Sequence, residues 1–308
     1  MEKLIVSSSP HLRSGETTRG IMMDVAFALL PASIAGIAIF GPRAAAVLAV
    51  CVLAAVASEL IWNLIFKKPN SLGDGSAVVT GLLLGMNLSP LLPLWMAALG
   101  SAIAIIIVKQ MFGGLGQNFA NPAITARIVL TVSFPTAMTI WAEPFGWRTG
   151  VDALTAPTPL VADAKTYTYR ELFLGLTGGC IGEVCAALLL AGGLYLIFRK
   201  IITPTIPVAF ISTVALLSLC AGENPLKMIL SGGLVLGAIF MATDYVTSPY
   251  NFKGQLIFGV GCGLLTFLIR YFGNLPEGVS FSILIMNLLV PHINRITRPK
   301  PFGTEGTK

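Results

Sequence analysis

Gly81-Leu-Leu-Leu-Gly85, followed by a break at Ser89-Pro90, returns as Gly233-Leu-Val-Leu-Gly237, followed by a break at Ser248-Pro249. Two further matches flank this pair and keep its order. Gly20-Ile-Met-Met-Asp24-Val-Ala-Phe-Ala-Leu-Leu30 opens the first apolar run, and Gly179-Cys-Ile-Gly-Glu183-Val-Cys-Ala-Ala-Leu-Leu189 opens the sixth. Phe112-Gly113 precedes the fifth run and Phe272-Gly273 the tenth. Each match is short, and their common order is what marks an internal repeat. The apolar runs are 21–40, 44–66, 77–86, 94–108, 123–141, 179–198, 206–221, 228–241, 256–271 and 279–290. An odd number of spans per half sends the second half into the bilayer the other way up. The expected fold is an all-α membrane protein of about ten transmembrane helices in a 5+5 inverted repeat with broken helices. The third, eighth and tenth runs, 10, 14 and 12 residues long, are the shortest against the roughly 20 of a full crossing, which fits broken or tilted helices. The chain divides into a first five-helix repeat (1–141), a polar loop (142–170) and a second repeat (171–308).

Composition agrees. The 308 residues are 55% hydrophobic and 11% charged, against about 25% charged in a soluble domain. The roughly 10-residue alternating segments of a membrane β-barrel are absent. The net charge of +6 reflects basic residues at the ends of apolar runs, so nucleic acid is not an expected partner; membrane lipid is. No cleavable signal peptide is expected, because the lead-in is polar. Lys67-Lys68, Lys109, Arg199-Lys200, Lys253 and the basic tail fall on one side of a ten-span topology. They outnumber Arg43, Arg148, Lys165, Arg170, Lys227 and Arg270 on the other, which puts both termini in the cytoplasm and the 142–170 loop outside. Cys51, Cys180, Cys185, Cys220 and Cys262 lie in or at the end of apolar runs without a C-x-x-C pair. They read as small packing residues, and no metal site is expected. His11 and His292 lie outside the apolar runs and read as interfacial.

Three carboxylates lie inside apolar runs: Asp24, Glu59 and Glu183. A charge there is costly and marks either an ion path or an interfacial hydrogen-bonding group. Arg127 most simply pairs with one of them or with a bound anion. The breaks after Met86 and Met241 free backbone groups, and such breaks are where transporters bind ligands. Asn87, Ser89, Thr243, Asp244, Thr247 and Ser248 are the polar groups there. The turn from Gly113 to Pro122 is too rich in glycine and amides for a plain connection, and it is not a phosphate-binding P-loop.

The stretches Phe112-Gly-Gly-Leu-Gly-Gln-Asn-Phe-Ala-Asn-Pro-Ala123, Met241-Ala-Thr-Asp-Tyr-Val-Thr-Ser-Pro249 and Pro276-Glu-Gly-Val-Ser-Phe-Ser-Ile-Leu-Ile-Met-Asn287 carry a resemblance that spans nearly the whole chain. So do Ser9-Pro-His-Leu-Arg13 and Gly179-Cys-Ile-Gly-Glu183. Together they resemble the NqrB/RnfD family, membrane subunits of the sodium-pumping NADH:quinone reductase and of the Rnf complex. The short lead-in favours the Rnf branch. The resemblance implies a flavin-carrying subunit of a redox-driven ion pump in the bacterial inner membrane. It implies FMN joined by a phosphodiester to Thr158 by a separate flavin transferase, at a motif formed here by Asp152, Thr155, Ala156, Pro157 and Thr158. Ala156 and Pro157 depart from the Gly and Ala of that motif, and proline fixes φ and removes an N–H. It further implies a second, non-covalent flavin, riboflavin being the candidate, sought among Asn118, Asn121, Thr243 and Asp244. Other subunits of the complex are the implied partners, passing electrons between ferredoxin and NAD while Na⁺ or H⁺ crosses the membrane. Catalytic side chains are not expected, because the flavin does the redox chemistry. The competing readings are a cofactor-free secondary transporter or channel of the same repeat type, and a structural anchor for soluble redox subunits.

Overall fold

The computed structural model describes residues 15–68, 71–149, 158–160, 167–183, 185–273 and 278–299. Among these, all regular structure is helical, and Ala142 and Gly179 form an isolated bridge. The first half holds α1 (Thr18–Phe40), α2 (Pro42–Ile65), α3 (Ser76–Met86), α4 (Leu94–Gln110) and α5 (Pro122–Ser133). The short α6 (Tyr169–Leu174) follows the loop. The second half holds α7 (Ala186–Phe198), α8 (Thr205–Cys220), the short α9 (Pro225–Leu230), α10 (234–241), α11 (Phe252–Phe272) and α12 (Val279–Thr297). Four of these, α1, α2, α11 and α12, are long and apolar enough to cross a membrane. The 23 residues of α1 rise about 35 Å at 1.5 Å each, a full hydrocarbon core. By the same rule the 11 residues of α3 reach only about 16 Å, half-way.

Local chemistry sets the helix starts. Thr17 Oγ1 accepts the Gly20 N–H at 3.1 Å to open α1. Gly75 takes the left-handed φ of +77° before α3, and Asp74 Oδ1 accepts from the Ser76 backbone N–H at 2.8 Å. Asn121 caps α5, with Pro122 in the first turn where its missing N–H costs nothing. Thr168 and Glu171 form a capping box on α6. Large apolar side chains such as Phe27, Ile34, Leu53, Leu64, Val208 and Leu219 point outward, as expected of helices surrounded by lipid rather than water.

Helices pack where small residues let backbones approach, the main association device when lipid is as apolar as the core. α2 lies along α3 and α4, and α8 along α11. α1 contacts α7, and α5 contacts α12. The two breaks are satisfied across the halves. Beyond α3, the Met86 carbonyl accepts the Gly182 N–H at 2.6 Å and the Leu88 carbonyl the Ile181 N–H at 3.1 Å. Beyond α10, the Met241 carbonyl accepts Asn121 Nδ2 at 3.2 Å. A Cβ on Gly182 would sit 2.5 Å from Met86 Cβ and 2.9 Å from its carbonyl oxygen. Gly182→Ala is therefore expected to cost about 1–3 kcal/mol by overpacking. An unchanged melting temperature would show that the two segments can separate at no cost.

Four expectations change. The sixth run is not one helix: Gly179 to Glu183 are non-helical, Cys185 has φ of +71°, and α7 begins at Ala186, because the N–H groups of Ile181 and Gly182 bond the other half instead of their own chain. The fifth run stops at Ser133, at the Phe134-Pro135 step, since a residue before proline is driven from the helical region. The eighth run splits into α9 and α10 around Ser231-Gly232-Gly233, with Gly232 at φ +66°. The tenth is not short: α12 continues through Pro291 to Thr297, a tolerance typical of membrane helices. His292 therefore lies within a helix, on its exposed side.

Candidate functional site

A cavity of about 210 Å³ opens between the halves at the end of the bundle where α1 begins. Its walls come from α1, the start of α3, the glycine-rich turn and the segment beyond α10. Asn118, Asn121, Thr243 and Asp244 all line it. Asn121 is the joint: its Oδ1 accepts from the N–H groups of Ala123 and Ile124, at 3.0 and 3.3 Å, while its Nδ2 holds the Met241 carbonyl. Thr243 Oγ1 donates to the Ile239 carbonyl at 2.6 Å, and Asp244 Oδ2 accepts from Thr247 Oγ1 at 3.0 Å. Asn118 Nδ2 donates to the Ala120 carbonyl at 3.0 Å. The turn and the break thus build one polar rim on an otherwise apolar pocket, the usual form of a small-molecule site.

Lys109 also lines the cavity, although in the sequence it reads only as an orienting charge. It is buried, and its Nζ lies 2.9 and 3.0 Å from the two oxygens of fully buried Glu59 and 2.6 Å from Ser76 Oγ. Glu59 Oε1 further accepts from Gln110 Nε2 at 3.0 Å and Ser71 Oγ at 2.6 Å, and Asn63 Nδ2 donates to Ser71 Oγ at 3.1 Å. The last stretch of α4, Ile103–Gln110, winds as a π-helix and ends in Lys109 and Gln110. Such widened turns recur at functional sites. The available sequence signal was a basic residue placed directly after an unbroken apolar run.

The other two intramembrane carboxylates part company. Glu183 lies in the packed interior, with Oε1 3.4 Å from Arg127 Nη2. Arg127 also donates to Asn87 Oδ1 at 2.7 Å, Ser280 Oγ at 3.3 Å and Cys180 Sγ at 3.3 Å. This knot gathers the end of α3, the approach to α7 and the start of α12 around one guanidinium. Asp24 instead sits near the start of α1, held by Tyr195 Oη at 2.7 Å and by the half-exposed Arg199 at 2.8 Å. Its partners lie at the basic end of α7. Asp24→Asn is expected to leave the melting temperature unchanged within error, because exposed ion pairs contribute little.

Thr158 does not line the cavity; Leu160, two residues on, approaches Gly232 ahead of α10. Thr158 is buried, 3% exposed, and its Oγ1 has no hydrogen-bond partner. Asp152, Thr155, Ala156 and Pro157 lie outside the described residues. An unmet buried hydroxyl costs about 1–3 kcal/mol. A phosphodiester fits the position, since the linking oxygen carries no hydrogen and needs no acceptor. The break residue Ser89 is engaged elsewhere, donating to the Ile140 carbonyl at 2.6 Å.

Composition, apolar helices and two cross-braced breaks define a polytopic helical membrane protein with a cavity between its halves. The chain belongs to the NQR2, RnfD, RnfE family, whose pattern it matches over residues 5–303. It is 46% identical over 312 residues, 99% of this chain and 97% of the relative, to the D subunit of the Na⁺-translocating ferredoxin:NAD⁺ oxidoreductase complex of Acetobacterium woodii. It is 45% identical over 319 residues, 97% of this chain and 96% of the relative, to the D subunit of the proton-translocating ferredoxin:NAD⁺ oxidoreductase complex of Clostridium ljungdahlii. It is 39% identical over 324 residues, 92% of this chain and 91% of the relative, to the D subunit of an ion-translocating oxidoreductase complex of Stutzerimonas stutzeri. Overall identity says nothing of the cation moved, since the first two relatives are about equally similar and are named for different ions.

Proposed function

We infer that this chain is the flavin-carrying membrane subunit of an ion-translocating ferredoxin:NAD oxidoreductase, seated in the bacterial inner membrane among the other subunits of that complex. The observation that carries this reading is the cavity whose rim brings Asn118 and Asn121 from one half together with Thr243 and Asp244 from the other. An amide and carboxyl rim on apolar walls suits the edge of a non-covalent flavin such as riboflavin. A flavin bound there supplies one- and two-electron chemistry; the chain sets its position and electrostatics. Asn121 fixes the rim by tying both halves, and Lys109, paired with Glu59, presents a buried cation to the cavity wall.

In this reading the ten apolar segments α1–α5, α7, α8 and α10–α12 form the 5+5 inverted repeat. The packing supports it: α1 with α7 and α5 with α12 are the pairs an axis between the halves would join, and α2 with α4 answers to α8 with α11. Both termini are then cytoplasmic, the cavity faces the cytoplasm, and Thr158 lies on the outer side, where a flavin transferase acts. The test is in-gel flavin fluorescence after denaturation, on chain made together with a transferase. We expect a fluorescent native band that vanishes in Thr158→Ala, and flavin released from the cavity on denaturation in both. A band that survives in Thr158→Ala moves the attachment to Thr155. A dark native band with no released flavin returns the chain to the cofactor-free transporter.

A further inference from the structure

We propose that Arg270 is the cationic anchor of the phosphodiester carried by Thr158; this rests on the flavin reading above. Arg270 lies in the last turn of α11. Its Nη1 donates to the Met228 carbonyl at 2.7 Å and its Nη2 to the Ser231 carbonyl at 3.1 Å. Its Nε is buried and has no partner. Gly232, between α9 and α10, joins this guanidinium to the loop: a Cβ there would sit 2.8 Å from Leu160 Cδ1 and 3.1 Å from Arg270 Nη2. Leu160 is two residues beyond Thr158. Two buried polar atoms without partners, the Thr158 hydroxyl oxygen and the Arg270 Nε–H, therefore belong to two segments that both approach Gly232.

A phosphodiester on Thr158 removes both deficits. The linking oxygen needs no acceptor, and the non-bridging oxygens, which share one negative charge, accept the spare N–H. A planar guanidinium is the side chain best matched to phosphate oxygens. Arg148 lies over rings instead, 4.9 Å from the centre of Phe145 and 5.2 Å from that of Trp147. The anchor also leads inward. A Cβ on the adjacent Gly233 would sit 3.2 Å from Glu183 Oε1 and 3.8 Å from Arg127 Nη1, and Glu183 lies within electrostatic reach of Arg270. The competing role is purely structural: Arg270 holds the carbonyls that end α9, whatever Thr158 carries.

A thermodynamic cycle on the full chain separates the two. Native, Arg270→Gln and Arg270→Lys chains are made with and without the transferase, and each pair is compared by thermal unfolding and in-gel fluorescence. Both variants are expected to melt below the native chain without flavin, because the carbonyl bonds are lost or weakened. Flavin attachment is expected to raise the native melting temperature by about 2 °C or more, to raise Arg270→Gln not at all, and to raise Arg270→Lys by an intermediate amount. An equal rise in native and Arg270→Gln chains, both fluorescent, overturns the anchor and leaves attachment standing. A dark native band overturns attachment itself, and the anchor with it. Should Arg270→Gln give no folded flavin-free chain, Arg270→Lys decides alone. One ammonium cannot serve both carbonyls and a phosphodiester, so a rise equal to the native one overturns the anchor.

Discussion

Replacing Lys109 with methionine is expected to destabilise the chain by about 3–5 kcal/mol, the range for breaking a buried ion pair from one side. The size follows from burial. Glu59 is 0% exposed and Lys109 2% exposed, so the carboxylate left behind has no water to replace the ammonium. Ser71 and Gln110 still donate to Glu59, but neutral donors compensate a charge only in part. Glu59→Gln is expected to cost a similar amount by stranding the ammonium among Ser76 and the cavity wall. The double change Lys109→Met with Glu59→Gln is expected to recover most of the loss, because replacing a buried pair by neutral groups is often nearly neutral. Thermal unfolding in detergent measures all three. Single variants that melt with the native chain would mean the pair is hydrated. A double variant no better than the worse single would mean that the two side chains act independently. The functional counterpart is separate: Lys109→Met, even when restored by the second change, is expected to release less non-covalent flavin on denaturation, because the cavity wall has lost its cation.

The parts legible in the sequence were those fixed by patterns along the chain. α1, α2, α8 and α11 end within a few residues of the hydropathy runs, because lipid demands an unbroken apolar stretch and charge closes it. The rim of the cavity was legible too, since the turn before α5 and the break after α10 both carry side-chain amides or hydroxyls where backbone groups fall free. What failed depends on contacts between the halves. Gly179 to Glu183 carry apolar residues and read as helix, and only the carbonyls of Met86 and Leu88 draw them out of it. Pro291 reads as a stop, yet α12 passes through it. Lys109 reads as an orienting charge, and only the fold shows Glu59 waiting for it. Thr158 was one loop threonine among several: Thr168 is spent on capping α6, whereas the buried Thr158 hydroxyl has no partner. Asp24 and Glu183 sit at matching places in similar stretches of sequence yet lie in opposite surroundings, one against Tyr195 and Arg199, the other against Arg127.

That contrast fixes the second large effect. Glu183→Gln is expected to lower redox-driven cation uptake by about tenfold or more, equivalent to about 1.4 kcal/mol on the barrier, while Asp24→Asn leaves it near the native rate. Glu183 is the candidate because its charge is buried and shared. Arg127 holds it at 3.4 Å through one nitrogen, while the other nitrogen already bonds Asn87 and Ser280. A cation can take the carboxylate only if Arg127 yields it, and Asn87 and Ser280 then still hold the other nitrogen of the guanidinium. Glutamine keeps the size and an acceptor for Arg127 but strands its charge, so a loss of stability like that of Glu59→Gln is expected as well, and uptake is compared per assembled complex. Arg127→Met separates structure from transport. It strands Glu183, and a loss of about 3–5 kcal/mol in unfolding is expected. Uptake of Na⁺ or H⁺ into vesicles carrying the whole complex, driven by reduced ferredoxin and NAD, reads the outcome. Native uptake in Glu183→Gln would remove Glu183 from the path. Loss in Asp24→Asn alone would move the path to the surface pair at the start of α1. Loss in both would put both carboxylates on the path.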